Sequence, residues 1–121
     1  MTKPAIYDQH DKAFAQVQAF VILKNDQRVA TIAFKFPKDG AGRLYAYVHW
    51  IGTEMVRGHA NGYGYDKKSA AVESAVNKLP RNKEDAGSDN LHLFIKCLFN
   101  IGGSNWDIKL RDAGFNVLQA V

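Results

Sequence analysis

Lys67 and Lys68 stand side by side where a glycine-loosened turn, Gly62-Tyr63-Gly64-Tyr65, hands over to what reads as a helix. Asp66 before them is an N-cap type, whose carboxylate can accept from the unpaired N–H groups of a first helical turn. A helix start already carries about half a positive charge. Two ammonium groups there oppose the dipole, at a cost of roughly a few tenths of a kcal/mol unless an anion lies close. The pair therefore points to one kind of chemistry, the holding of something negative.

The other reactive residue types offer less. His49, His59 and His92 show no H-x-x-x-H or H-E-x-x-H spacing and make no metal site. Asp8, His10 and Asp11 cluster near the N-terminus without a helical or hairpin spacing to fix them as ligands, and read as a frayed end. Ser69, Ser74, Ser88 and Ser104 lack the G-x-S-x-G frame of a nucleophile elbow. Neither a dinucleotide fingerprint nor a phosphate-loop lysine motif is present, and Glu54, Glu73 and Glu84 are too scattered to work as an acid–base pair. Cys97, the only cysteine, lies within Leu93-Phe94-Ile95-Lys96-Cys97-Leu98-Phe99 and reads as a small core hydrophobe. These residues support neither an enzyme nor a cofactor.

The net charge is +4 over 121 residues, and its placement is uneven. Lys24, Arg28, Lys35, Lys38, Arg43, Arg57, Lys67 and Lys68 face only Asp26, Asp39, Glu54 and Asp66 in the same stretch, while the rest of the chain balances. A basic bias of this kind favours anionic partners such as nucleic acid. With 46% apolar and 23% charged residues the composition is that of one globular domain spanning residues 1–121. No apolar run approaches the roughly 18 residues of a membrane span, and Met1-Thr2-Lys3-Pro4 lacks the apolar core of a signal peptide. The expectation is a cytoplasmic protein with no membrane partner.

The elements that must position these residues follow from periodicity. Alternating patterns predict strands at about 17–24, 28–36, 43–51 and 55–62. Apolar stripes predict helices at about 66–79, 90–100 and 105–113, and Phe115, Val117 and Val121 a short closing strand. The first helix carries Val72, Ala75, Val76 and Leu79 on one stripe and stops at Pro80. Residues 81–90 read as a polar loop. Ser104 with Asp107 resembles a capping box, and Gly114 suits a helix stop. Strands first and helices after predict an α+β fold, a mainly antiparallel four-stranded sheet covered by helices in two layers. Small residues at Gly58, Ala60 and Gly62 would let a helix lie close to the fourth strand.

The third and fourth strands admit two registers. A two-residue turn at Gly52-Thr53 sets Tyr47 against Gly58 and Tyr45 against Ala60, tucking the tyrosines into the core. A three-residue turn sets Tyr47 against His59, Tyr45 against Asn61 and His49 against Arg57, making one aromatic and basic face able to stack bases. The glycine-led two-residue turn is the stronger hairpin signal and favours the core placement.

Residues 43–79 resemble the C-terminal half of a double-stranded-RNA-binding domain. Gly62, Gly64, Asp66, Lys67, Lys68 and Ala70 match its G-x-G-x-[S/D]-K-K-x-A pattern, with Ala75 and Leu79 along the helix. The resemblance implies that Lys67 and Lys68 grip phosphates across a groove, reading shape rather than sequence. The chain departs from the pattern at Ala71, where the family has a basic residue, and at the short, acidic Gly52-Thr53-Glu54 loop. Two extra strands also stand where the family has its first helix. In general look the chain is similar to small proteins carried by phages and mobile elements. Two functions are therefore expected. One is a nucleic-acid-binding module for duplex RNA or DNA, contacting it through Lys67, Lys68, Arg57, Arg43 and Lys35, with Tyr47 and His59 beside them. The other is a small non-enzymatic interaction or inhibitor protein that docks on a host or defence protein complex.

Overall fold

The chain opens with a long hairpin made by alternation and a tight turn. In the computed structural model, residues 14–37, 42–61, 66–80, 89–99, 101 and 105–120 are described. Strands β1 (Phe14–Lys24), β2 (Gln27–Pro37), β3 (Arg43–Trp50) and β4 (Val56–Asn61) precede helices α1 (Asp66–Val76), α2 (Asp89–Leu98) and α3 (Trp106–Asp112) and strand β5 (Asn116–Gln119). All neighbouring strands run antiparallel in the order β4-β3-β2-β1-β5. The fold is α+β, as the order of patterns predicts. Among the described residues no helix is long and apolar enough to cross a membrane.

Asn25 and Asp26, with φ of 52° and 64°, join β1 to β2 in a two-residue loop. Positive φ at both central positions is the mark of a type I′ turn, and Asn and Asp tolerate it best after glycine. One face of the sheet carries the main core. Phe20 and Ile22 of β1, Ala30, Ile32 and Phe34 of β2, and Leu44, Ala46, Val48 and Trp50 of β3 pack against the helices in one cluster. From the helices come Ala71, Val72, Ala75 and Val76 of α1, Leu91, Phe94, Ile95 and Leu98 of α2, and Trp106 and Leu110 of α3.

Helix α1 lies close against β4 because Gly58 has no side chain. A Cβ at that position would intrude on the backbone nitrogen of Ala75 and sit 2.5 Å from the carbonyl oxygen of Ala71. Ala71 is fully buried here, where a charged side chain has no room. The helix ends one turn before Pro80: Lys78 and Leu79 donate to the carbonyls of Ala75 and Val76, a tightened last turn.

At the other end of the helical layer, Gly114 (φ 92°) closes α3. The Phe115 N–H donates to Leu110 O and the Gly114 N–H to Arg111 O, both at 3.0 Å. This is the Schellman arrangement. The start of α3 differs from the expected capping box. Asn105 holds the cap position in extended conformation with no side-chain bond. Asp107 instead pairs with Arg111 at 2.7 Å, and the Trp106 N–H donates to Ser69 Oγ of α1, 3.2 Å away. Ser104 lies outside the described residues, as do Asp8, His10, Asp11, the Gly62–Tyr65 turn and the 81–88 loop.

Neither register expected for β3 and β4 is the one formed. Tyr45 stands opposite His59, Tyr47 opposite Arg57 and Ala46 opposite Gly58. Gly52 takes the second central position of the turn with φ 83°, and the Thr53 N–H donates back to Trp50 O at 2.9 Å. That positive φ at the third residue belongs to a type II turn, not the type II′ turn that a Gly52-Thr53 loop requires. The core placement of the tyrosines is therefore overturned. Leu44, Ala46, Val48 and Trp50 point inward, while Tyr45 and Tyr47 are half-buried on the outward face.

Candidate functional site

The strands that carry the sheet contain no aspartate or glutamate, whereas Lys24, Arg28, Lys35, Arg43 and Arg57 all lie in them. On an acid-free sheet the outward side of β3 and β4 gathers Arg43, Tyr45, Tyr47 and His49 with Arg57, His59 and Asn61. Alternation places them there, since residues two apart on a strand share a face and cross-strand partners share it too. The Tyr45 and His59 rings are 6.2 Å apart between centroids, tilted by 59°. The Arg57 guanidinium carbon lies 4.8 Å from the Tyr45 ring centroid, within cation–π range. Arg43, Arg57 and His59 are exposed.

His49 is tied to the turn. Its Nε2 lies 3.0 Å from Thr53 O; a carbonyl only accepts, so that nitrogen carries the proton and the ring braces the hairpin. The edge strand β4 is closed from the helix side. The His59 N–H donates to Ser74 Oγ, 3.3 Å away, and the Lys78 ammonium donates to Arg57 O. This adds a further cation next to Arg57.

Not all of the outward face is open. Ala19, Ala33 and Lys35 are buried, with Lys35 at 3% exposure. Lys35 Nζ lies 5.3 Å from the Tyr47 ring centroid, so this lysine supports the tyrosine and is not displayed as a surface phosphate contact. Accessible chemistry is concentrated in the β3–β4 half.

The two lysines of α1 do not act as a unit. Consecutive residues of a helix are about 100° apart and face different ways. Lys67 is half-buried at the start of the helix. Lys68 turns inward: its Nζ donates to Gln18 Oε1 at 2.6 Å and lies 5.5 Å and 5.4 Å from the ring centroids of Phe34 and Phe36. Desolvation pushes its pKa below the ordinary 10.5, with the Asp107 carboxylate pulling the other way. It lines a cleft of about 330 Å³ with Phe20, Ser69, Asn105, Trp106 and Asp107. The lysine pair thus splits between a helix start and the rim of the core.

Cys97 is half-buried at the edge of the core rather than inside it. Desolvation raises its thiol pKa, against the pull of Lys96, Lys109 and Lys24. Among the described residues no group of three or more His, Cys, Asp or Glu side chains is placed to hold a metal ion.

Of the residues singled out in the sequence, the structure brings Arg43, Arg57, Tyr47 and His59 together on one face and separates Lys68 from them. Sequence reasoning under-weighted Tyr45, although the alternation of Leu44, Ala46, Val48 and Trp50 against Arg43, Tyr45, Tyr47 and His49 already carried that signal. Ser69 had no local signal, because its partner is 37 residues away. Comparisons of the chain with protein-family models, with curated proteins and with solved structures found no match.

Proposed function

We propose that this protein is a non-enzymatic nucleic-acid-binding module whose contact surface is the outward β3–β4 face. The observation that carries the reading is the joining of aromatic rings to cations on a sheet whose strands hold no carboxylate. Arg43 and Arg57 offer planar, always-charged donors suited to phosphate, and Lys67 adds charge at the helix start. Tyr45, Tyr47 and His59 supply ring surface beside them. Strands without carboxylates set no like charge of their own against a polyanion, and phosphate contacts give nucleic-acid binding its salt dependence.

The test is a mobility shift at low salt with duplex RNA, duplex DNA and single strands. Binding is expected, with log affinity falling linearly in log salt. Arg43→Ala and Arg57→Ala should each flatten that slope by about one unit. No shift with any nucleic acid would discard the reading.

One feature favours the second reading, a protein that docks on a host protein complex. Ile51 and Met55 are 63% and 45% exposed, and they rim a groove of about 490 Å³ with Val29, Ala30 and Thr31. That reading predicts a defined complex abolished by Ile51→Asp, with nucleic-acid binding absent in the parent chain.

A further inference from the structure

We infer that the occupant of the β3–β4 face is a single strand rather than a duplex, its unpaired bases stacked on Tyr45, Tyr47 and His59 while Arg43 and Arg57 meet the phosphates. This rests on the nucleic-acid reading above and narrows its ligand.

Ring spacing favours an unpaired strand. Tyr45 and Tyr47 are two residues apart on one strand, about 7 Å by strand geometry. That is about twice the roughly 3.4 Å rise between stacked bases. Neighbouring bases that reach separate rings must come apart from one another. An unpaired strand allows this at little cost, and a duplex resists it because its base faces are covered by the next pair.

The cations sit among the rings. Arg43 is paired across the sheet with Asn61 at one end of the ring cluster, and Arg57 stands opposite Tyr47 further along. Rings and guanidinium groups therefore alternate over one surface, the arrangement that tracks a backbone while bases lie on aromatic platforms. Arg57 is also held near the Tyr45 ring, which sets its charge beside the ring surface where a base and its phosphate would lie.

A duplex finds less to hold. The groove-spanning grip on duplex RNA that the resemblance implies uses both helix-start lysines, and Lys68 is bonded to Gln18 with its ammonium over the Phe34 and Phe36 rings. On the sheet Arg28, Arg43 and Arg57 remain exposed, the last two among rings a duplex has no use for.

The experiment is fluorescence anisotropy at low salt with four labelled probes: single-stranded DNA and RNA of about 10 nucleotides, the duplex of the same sequence, and an abasic strand of equal length and charge. The single strands are expected to bind at least about tenfold tighter than the duplex and the abasic strand. Tyr45→Leu and Tyr47→Leu should each weaken single-strand binding by about tenfold with the salt slope unchanged, and Tyr47→Phe should restore it. The comparison of probes uses the parent chain and does not depend on any variant folding. Equal affinity for single, duplex and abasic probes, or loss-free leucine variants, overturns the stacking inference and leaves the broader reading standing. Absence of binding to every probe overturns both.

Discussion

Replacing Gly58 with alanine adds one methyl group to a strand, a change that ordinarily stabilises a chain by about 0.5–1 kcal/mol where the backbone permits it. Gly58 has no left-handed φ to protect, so on backbone grounds alone the variant should gain. The structure reverses the sign. The new methyl would intrude on the Ala75 nitrogen and lie 2.5 Å from Ala71 O and 2.6 Å from the Ser74 carbonyl carbon. All three are helix backbone, which no rotamer change can move aside. Helix α1 would have to lift as a body, and its Ala71, Val72, Ala75 and Val76 are fully buried. Overpacking costs about 1–3 kcal/mol in cores that can adjust around a side chain; against rigid backbone we place Gly58→Ala near the top, about 3 kcal/mol. That is a large share of the roughly 5–15 kcal/mol available to a small domain, and a loss of about 10 °C in melting temperature. Urea unfolding followed by far-ultraviolet circular dichroism measures it. Gly52→Ala is the matched control. Gly52 has φ 83° and nothing within 4 Å of an added Cβ, so it should lose about 1 kcal/mol through backbone strain alone. A Gly58→Ala midpoint equal to or above that of the parent would refute the packing argument.

Lys68→Met tests the inward lysine. Its lowered pKa means the unfolded chain holds more protons between the folded pKa and 10.5, so the parent should gain stability as pH rises through that window. The methionine variant should lack that gain, and superimposable pH profiles of the urea midpoints would contradict the buried placement. Ser69→Ala leaves the buried Trp106 N–H without its acceptor and should cost about 1–3 kcal/mol, read as a lower thermal midpoint. Combining Lys78→Ala with Arg111→Ala uncaps the Arg57 carbonyl on β4 and the Val117 carbonyl on β5. Sedimentation should then show more self-association than in the parent, since bare sheet edges invite pairing; an unchanged distribution would show that these caps do not guard the edges.

Strand positions, helix positions and the close approach at Gly58 were legible because each rests on local periodicity or residue size. Ile32 and Phe34 alternate with Thr31 and Lys35, and Val72, Val76 and Leu79 recur at helical spacing; both sets are buried as their patterns require. The hairpin register failed where two local signals competed. The turn signal at Gly52-Thr53 opposed the alternation in β3, and the alternation won because a mismatch would have exposed Leu44, Val48 and Trp50 together. The site was legible in part. Arg57, His59 and Tyr47 follow from strand parity once the register is known. Lys68 does not, because its partners Gln18, Phe34 and Phe36 come from strands far away in sequence. No local rule says that a lysine beside a helix start will turn towards them.

The most direct test of the central claim maps the contact residue by residue. Titration of a short single-stranded oligonucleotide into isotope-labelled protein, followed by amide chemical shifts, should perturb Arg43 to His49 and Arg57 to Asn61 and leave α2 and α3 unmoved. Shifts confined to the helical layer, or none at saturating oligonucleotide, would contradict it.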